Sequence, residues 1–317
     1  MESEFKQTDD SREKVILIGN PNVGKSVIFN YLTGKYVTVS NYPGTTVEVS
    51  TGTLSVHGKK LQVLDTPGVN SLIPMSEDEK VTRDILLKEP KSYLIQVMDT
   101  KNIRRGLLIS LQLLEMGLPF LILLNMWDEA KSRGIEIKIQ VLSEILGAPV
   151  LKTVATRQKG LEKIKENLKA PLPSSIPIDY PDAIEDGLSR IVPLLPGASI
   201  SRRSLALMLL SGDESLAEWL HHHLSENDIL QIEKIRHEIQ IHLAEPIGYM
   251  INQARLRKVD ELLSRVMRGG GEATKSVSSF LGNLSIHPIW GSLSFCSSSG
   301  SPMNLLECSG PRSASSF

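Results

Sequence analysis

Eight consecutive residues near the start of the chain, Gly19-Asn20-Pro21-Asn22-Val23-Gly24-Lys25-Ser26, constrain the fold more than any other feature of the sequence. They fit the Gly-x-x-x-x-Gly-Lys-Ser/Thr pattern of a phosphate-binding loop, in which glycines let backbone N–H groups close around phosphate oxygens. Such a loop works between a strand and a helix, and the flanks supply both. Residues 15–18 form a short aliphatic, β-branched run, and residues 26–32 carry helical spacing. The pattern assigns Lys25 to the β- and γ-phosphate oxygens as a point charge, and the Ser26 hydroxyl to magnesium.

The rest of the first half alternates strand and helix signals. Residues 48–56 and 61–64 read as a hairpin pair around His57-Gly58, with further strands at 93–97, 120–124 and 149–152. Helical spacing falls at 104–116, where Leu107, Leu108, Leu111 and Leu114 share a face, and at 138–146 and 161–168. The predicted class is α/β: a P-loop NTPase with a Ras-like, mostly parallel sheet, followed by a small all-α domain. The expected boundaries are a GTP-binding domain at 12–170, a linker at 171–182 marked by the run Pro-Leu-Pro-Ser-Ser-Ile-Pro, and a helical domain at 183–290. Breaks are expected at Pro196-Gly197, Gly212-Asp213 and Glu245-Pro246, and Gly269-Gly270-Gly271 ends the helical spacing. A Ser- and Gly-rich tail at 291–317 has too few apolar residues to offset the entropy of ordering and is expected to be disordered.

Three further motifs complete a nucleotide site. Asp65-Thr66-Pro67-Gly68 follows an apolar strand, which puts the Asp65 carboxylate at a strand end facing magnesium and the Gly68 N–H toward the γ-phosphate. Asn125-Met126-Trp127-Asp128 also follows a strand. An Asp carboxylate can accept from both N1–H and the 2-amino group of guanine, whereas adenine has an acceptor at N1 and no 2-amino group. Val154-Ala155-Thr156 is placed to offer a backbone N–H to guanine O6. Asn41-Tyr42-Pro43-Gly44-Thr45-Thr46 lies in an irregular stretch that could close over the γ-phosphate, with Thr46, or its neighbour Thr45, as a magnesium ligand. Val69 stands where a Gln would orient the attacking water, so hydrolysis is expected to be slow.

Composition narrows the partners. A formal net charge of −1 gives no bulk attraction to nucleic acid or anionic lipid. The two cysteines, Cys296 and Cys308, both fall in the last segment, which suits a reducing compartment. Residues 1–14 are polar and unlike a secretory signal, and the apolar runs at 118–124 and 205–210 are far short of the roughly 20 residues that cross a bilayer.

The spellings Gly-Asn-Pro-Asn-Val-Gly-Lys-Ser, Asn-Tyr-Pro-Gly-Thr-Thr-Val-Glu, Asp-Thr-Pro-Gly-Val-Asn-Ser-Leu and Leu-Asn-Met-Trp-Asp-Glu-Ala resemble the N-terminal cytoplasmic part of the ferrous-iron transport protein B family of bacteria. The resemblance runs over residues 15–291, strongest to residue 160. It implies a GTPase domain, joined to a helical domain that stabilises bound GDP, on the cytoplasmic face of the inner membrane ahead of a permease that passes Fe(II). Small iron-transport accessory proteins are implied as further partners. It also implies potassium activation, with Asn22 at the position that resembles a potassium ligand. The chain departs from the family pattern after Ile286-His287-Pro288-Ile289-Trp290-Gly291, where it turns Ser-rich; a truncated or frame-shifted product is the expectation. It departs again at Arg255-Leu256, where Arg-Tyr is usual.

The competing class is a soluble GTPase acting on ribosomes or RNA, against which stands the lack of a KH-like or basic C-terminal module. A chain that binds nucleotide with no transport role is a third reading. His221-His222-His223 invites a metal reading, but successive helical residues point about 100° apart, so a solvated helix face is expected. Asp99 is expected to cap a helix beginning near Asn102, and Trp219 and Trp290 to serve packing.

Overall fold

A computed structural model of the protein describes residues 13–34, 37–56, 58–89, 92–168 and 176–267. The expected tail at 291–317, Trp290, both cysteines, the Gly269-Gly270-Gly271 break, the hairpin residue His57 and residues 171–175 of the expected linker lie outside the described residues.

Among the described residues, seven strands form one sheet: β1 (Lys14–Gly19), β2 (Val37–Asn41), β3 (Glu48–Val56), β4 (Lys59–Asp65), β5 (Tyr93–Asp99), β6 (Phe120–Asn125) and β7 (Val150–Lys152). Their order is β2-β3-β4-β1-β5-β6-β7. The pairs from β4 through β7 are parallel, and β2 and β3 add an antiparallel edge. The mostly parallel sheet expected from the alternating pattern is therefore present. Val15 to Ile18 of the central strand are each 0% exposed, because helices cover both faces. Successive residues point to opposite faces, so Val15 and Leu17 join one core with Ile28, Phe29 and Ile95, while Ile16 and Ile18 join the other with Met98, Leu107 and Ile122.

The helices in chain order, among the described residues, are α1 (Lys25–Thr33), α2 (Glu77–Lys88), α3 (Ile103–Glu115), α4 (Trp127–Ser132), α5 (Ile139–Leu146), α6 (Asp182–Ile191), α7 (Arg202–Leu210), α8 (Ala217–His223), α9 (Glu226–Ile241) and α10 (Ile247–Val266). The helices from α6 onward share a continuous apolar core with α3 and the second sheet face, through residues such as Leu111, Leu113, Leu188, Leu205 and Val259. Polar contacts lock the same junction. Arg255 on α10 donates from Nε (2.8 Å) and Nη2 (2.7 Å) to Glu115 Oε2 at the end of α3, and the Tyr180 hydroxyl donates to the other carboxylate oxygen. Arg83 on α2, fully buried, pairs with Asp213 and donates to Ser215 Oγ at 2.8 Å.

Two elements differ from expectation. Residues 161–168 form two 3-10 turns, Leu161–Lys163 and Lys165–Asn167, in place of an α-helix. Leu161 and Ile164, three apart, are both 0% exposed, and i to i+3 bonds (Ile164 N–H to Leu161 O, 3.2 Å) bring them to one face as well as an α-turn would. The helical part also breaks at Leu224-Ser225, where Ser225 Oγ accepts from Asp228 N at 3.2 Å and starts α9.

Candidate nucleotide site

The carboxyl ends of β1, β4, β5 and β6 lie side by side, with Leu17 opposite Asp65, Gly19 opposite Val97 and Asp99 opposite Asn125. In an open α/β sheet this edge is where ligands bind. β1 runs directly into the phosphate-loop residues, and α1 opens at Lys25 after Gly24, whose φ of 88° is left-handed. A Cβ on Gly24 would lie 2.4 Å from Asn125 Nδ2, so glycine is needed there for closeness as well as for conformation.

Lys25 donates to Asp65 Oδ1 at 2.8 Å, and Ser26 Oγ donates to Asp65 Oδ2 at 2.8 Å. The expected phosphate-binding cation, the expected hydroxyl ligand and the expected carboxylate thus meet within one hydrogen-bond length. A hydroxyl and a carboxylate are the hard oxygen donors that magnesium takes alongside substrate phosphates and water. The segment after Asp65 is pinned to the end of β1, where the loop begins: Thr66 donates from Oγ1 to Leu17 O (2.8 Å), and Val69 N–H donates to Gly19 O (3.0 Å). A Cβ on Gly68 would sit 2.8 Å from Pro21 Cα, which explains glycine where two backbones cross. Asn20, 5% exposed, donates to Val69 O (3.0 Å) and Asn70 Oδ1 (3.3 Å), binding the two loops together.

Asn125 is the second tie. It is 3% exposed, donates from Nδ2 to Val23 O (2.8 Å), and accepts at Oδ1 from Ala155 N (2.9 Å) and Thr153 Oγ1 (3.3 Å). One side chain therefore joins the phosphate loop, the base motif and the 154–156 turn. Met126, left-handed at φ 57°, turns the chain into α4 and places Asp128 in its first turn. A cleft of about 390 Å³ is lined by Asn22, Gly24, Lys25, Ser26, Asn125, Met126, Asp128, Val154, Ala155 and Thr156, together with Val27 and Glu129. Ten of the residues picked from sequence are thereby brought to one wall. Gly19, Asn20, Pro21, Val23, Asp65 and Gly68 stand behind it as support, through the contacts given above.

Thr46 is exposed, on the 42–47 loop, and has no hydrogen bond among the described residues, whereas Thr45 donates to Tyr42 O (3.0 Å) and accepts from Val47 N (3.2 Å). The Thr45 hydroxyl is thus engaged in its own turn, and the Thr46 hydroxyl is available. Sequence reading missed three contributors. Glu79 on α2 accepts from Asn70 N (3.1 Å), Ser71 N (3.1 Å) and Met75 N (2.9 Å) and shapes the segment after Gly68. Lys101 pairs with Glu129 at the cleft rim (2.5 Å), and Arg157 lies 3.6 Å from Asp128. Charge alternation could have suggested the last two, and the Ser-x-x-Glu spacing of Ser76 and Glu79 could have placed Glu79 in a first helical turn, though not its contacts. The three adjacent histidines take separate partners: His222 and His223 turn Nδ1 to the carbonyls four residues back (2.7 Å each), and His221 faces Glu226 (3.0 Å). Asp99 caps a 3-10 turn, Thr100–Asn102, just before α3, by accepting from Lys101 N.

Residues 13–168 match the family model described as "Ferrous iron transport protein B", and residues 180–268 match "FeoB cytosolic helical domain". The chain belongs to the ferrous iron transport protein B family. Among solved FeoB structures, it is similar to a GDP-bound point mutant of the G domain from S. thermophilus (30% identity, TM-score 0.70, covering 81% of this chain and 100% of that one). It is also similar to the cytosolic domain of FeoB from L. pneumophila (27% identity, TM-score 0.71, covering 80% and 99%). The Fe(2+) transporter FeoB of Escherichia coli K12 is 36% identical over 210 residues, which are 62% of this chain and 26% of the transporter. An Fe(2+) transport protein A/FeoB fusion of Porphyromonas gingivalis is 36% identical over 215 residues, 64% of this chain and 26% of the fusion. The chain thus spans about a quarter of the length of these FeoB relatives. The sheet and its loops have the P-loop GTPase fold of the FeoB G domain, followed by the helical domain. Among the described residues no helix is long and apolar enough to cross a membrane.

Proposed function

We propose that this chain binds GTP and GDP in the cleft between the phosphate loop and the base motif, hydrolyses GTP slowly, and uses the exchange to regulate ferrous iron uptake at the bacterial inner membrane. The observation that carries the reading is the Asn125 tie. Its three hydrogen bonds hold the phosphate-binding and base-reading loops as one preorganised wall, so a guanine nucleotide meets both at a fixed separation.

In this reading Lys25 and the loop amides hold phosphate, and Ser26, Thr46 and Asp65 hold magnesium, which would neutralise charge on the β- and γ-phosphate oxygens. Gly68 N–H faces the γ-phosphate. Asp128 accepts from the guanine edge. Ala155 N–H is already engaged by Asn125, so a contact to O6 falls to the next amide, Thr156. The Asn22 side chain lines the cleft, is exposed, and has no hydrogen bond among the described residues, which leaves its oxygen free for a potassium ion near the β-γ bridge. Val69 is 0% exposed and supplies no polar group to a water, in keeping with slow turnover. The permease portion of the FeoB relatives and small accessory proteins are the proposed partners, with no nucleic acid.

The test is phosphate release from GTP and from ATP by the purified chain, in potassium and in sodium, with a Lys25→Ala control. Slow release from GTP alone, faster in potassium and reduced about 100-fold or more in the variant, is expected, since losing a charged contact that grows in the transition state costs several kcal/mol. Release from ATP at a similar rate would defeat the base assignment, and equal rates in both salts would defeat the role of Asn22.

A further inference from the structure

Arg157 has no part in the reading above, yet it sits beside the group that reads the base. Its Nη1 lies 3.6 Å from Asp128 Oδ2, too long for a hydrogen bond but close enough for an ion pair, with side-chain exposures of 65% and 35%. The placement is not that of a long arm on a loose loop. Residues 154–159 form a closed turn. Its neck is a two-way backbone bridge, Val154 N–H to Lys159 O at 3.0 Å and Lys159 N–H to Val154 O at 3.2 Å. Inside the neck, Arg157 N–H donates to Val154 O at 3.0 Å, and Gln158 closes the turn at a left-handed φ of 54°. The far side of the same turn is fastened to Asn125 through Ala155 N–H. One rigid turn therefore presents an amide edge to the base site and a guanidinium to the carboxylate that must accept the base.

Those two functions oppose each other. Guanine binds by giving N1–H and its 2-amino protons to both Asp128 oxygens, and a carboxylate with a full negative charge accepts them best. A cation held at 3.6 Å lowers that charge and favours the carboxylate without a base. The pair is exposed and imperfectly aligned, so an incoming guanine edge can displace it. We propose that Arg157 is the exchangeable counter-ion of Asp128: it pairs with the carboxylate when no base is bound, yields it to guanine on binding, and by competing to return speeds nucleotide release. Arg157 acts through Asp128 in this scheme, as a positioning residue. The proposal rests on the guanine-site reading above.

Release of a fluorescent GDP analogue, chased with excess GDP from the intact chain, tests it. In Arg157→Gln release should slow by about two- to five-fold, the range open to an exposed ion pair, while Arg157→Lys stays near wild type. The contrast between wild type and Arg157→Gln should shrink in high salt, because exposed pairs are screened. An Asp128→Asn background removes the carboxylate. There Arg157→Gln should leave the release of a xanthosine diphosphate analogue unchanged, and a cycle over the two positions isolates the pairwise effect from any general loosening of the turn. Unchanged or faster release in Arg157→Gln would overturn the proposal, as would equal slowing with and without Asp128. If the wild-type chain bound no GDP, this proposal and the guanine-site reading would both fall; GDP binding with release unaltered by Arg157→Gln would overturn the proposal alone.

Discussion

Replacing Glu115 with alanine should lower the free energy of unfolding by about 3–5 kcal/mol, because it strands one member of a buried ion pair. Arg255 is 2% exposed, and its guanidinium directs Nε and Nη2 at the one carboxylate. Burial works against the Arg255 charge, and Glu115 and Tyr180 more than compensate, holding the guanidinium above its ordinary range. Without Glu115 the positive charge stays at the junction of α3 and α10 with no counter-ion, and the Tyr180 hydroxyl loses its acceptor. Urea denaturation followed by circular dichroism measures the effect as a shift in midpoint at constant slope. Glu115→Gln, which keeps an acceptor but not the charge, should lie between. The double change Glu115→Leu with Arg255→Met should recover much of the loss, since a buried pair replaced by apolar side chains of similar volume is often neutral. A loss below about 1 kcal/mol in Glu115→Ala would mean that water reaches the pair and that the junction is looser than its burial indicates.

Changing Asp128 to asparagine should exchange guanine for xanthine. The asparagine amide puts an N–H₂ donor where the carboxylate offered an acceptor, which opposes the guanine 2-amino group but matches the carbonyl that xanthine carries at that carbon. Losing one charged hydrogen bond and facing two donors together should weaken GDP binding by about 100-fold or more, while a xanthosine diphosphate gains. Competition titrations with fluorescent analogues of both nucleotides measure this. GDP affinity within about three-fold of wild type would show that another side chain reads the base.

The site was more legible than the elements around it. A phosphate loop has to be written in glycine, lysine and a hydroxyl, because those groups touch the ligand, and Asp65 ends β4 while Asp128 sits in the first turn of the helix just after β6, both at the sheet edge that the strand pattern predicted. What could not be read were side chains that act on other protein groups. Asn125 was legible as part of the base motif, but not the hydrogen bonds by which its amide joins Val23, 102 positions away, to Ala155. The strand β2 was hard to read because its alternation, Val37-Thr38-Val39-Ser40, is short and all five of its residues are exposed; backbone pairing with β3 holds it. Helix α2 was hidden by its charge, Glu77-Asp78-Glu79-Lys80, although Ser76 three residues before Glu79 is a capping signal, and Ser76 Oγ does accept from Glu79 N. The 161–168 segment misled because Leu161 and Ile164, at i and i+3, share a face in a 3-10 turn and in an α-helix alike, and Leu168 at i+7 extends the α pattern.

Helix α3 lies between the sheet and α10, and this leaves it with almost no face open to sequence drift. Of its 13 residues, Arg104 and Arg105 are the exposed ones, and even these are committed. Arg104 forks onto Asp260 of α10 (2.7 and 2.9 Å), and Arg105 donates to Asn70 (2.7 Å), whose same oxygen also receives Asn20 of the phosphate loop. An ordinary surface helix tolerates polar exchange along its outer stripe. In a saturation library scored for folded protein, α3 should appear as an unbroken cold stretch, and Gly117 just beyond it should stay cold although exposed, because its φ of 74° strains any side chain.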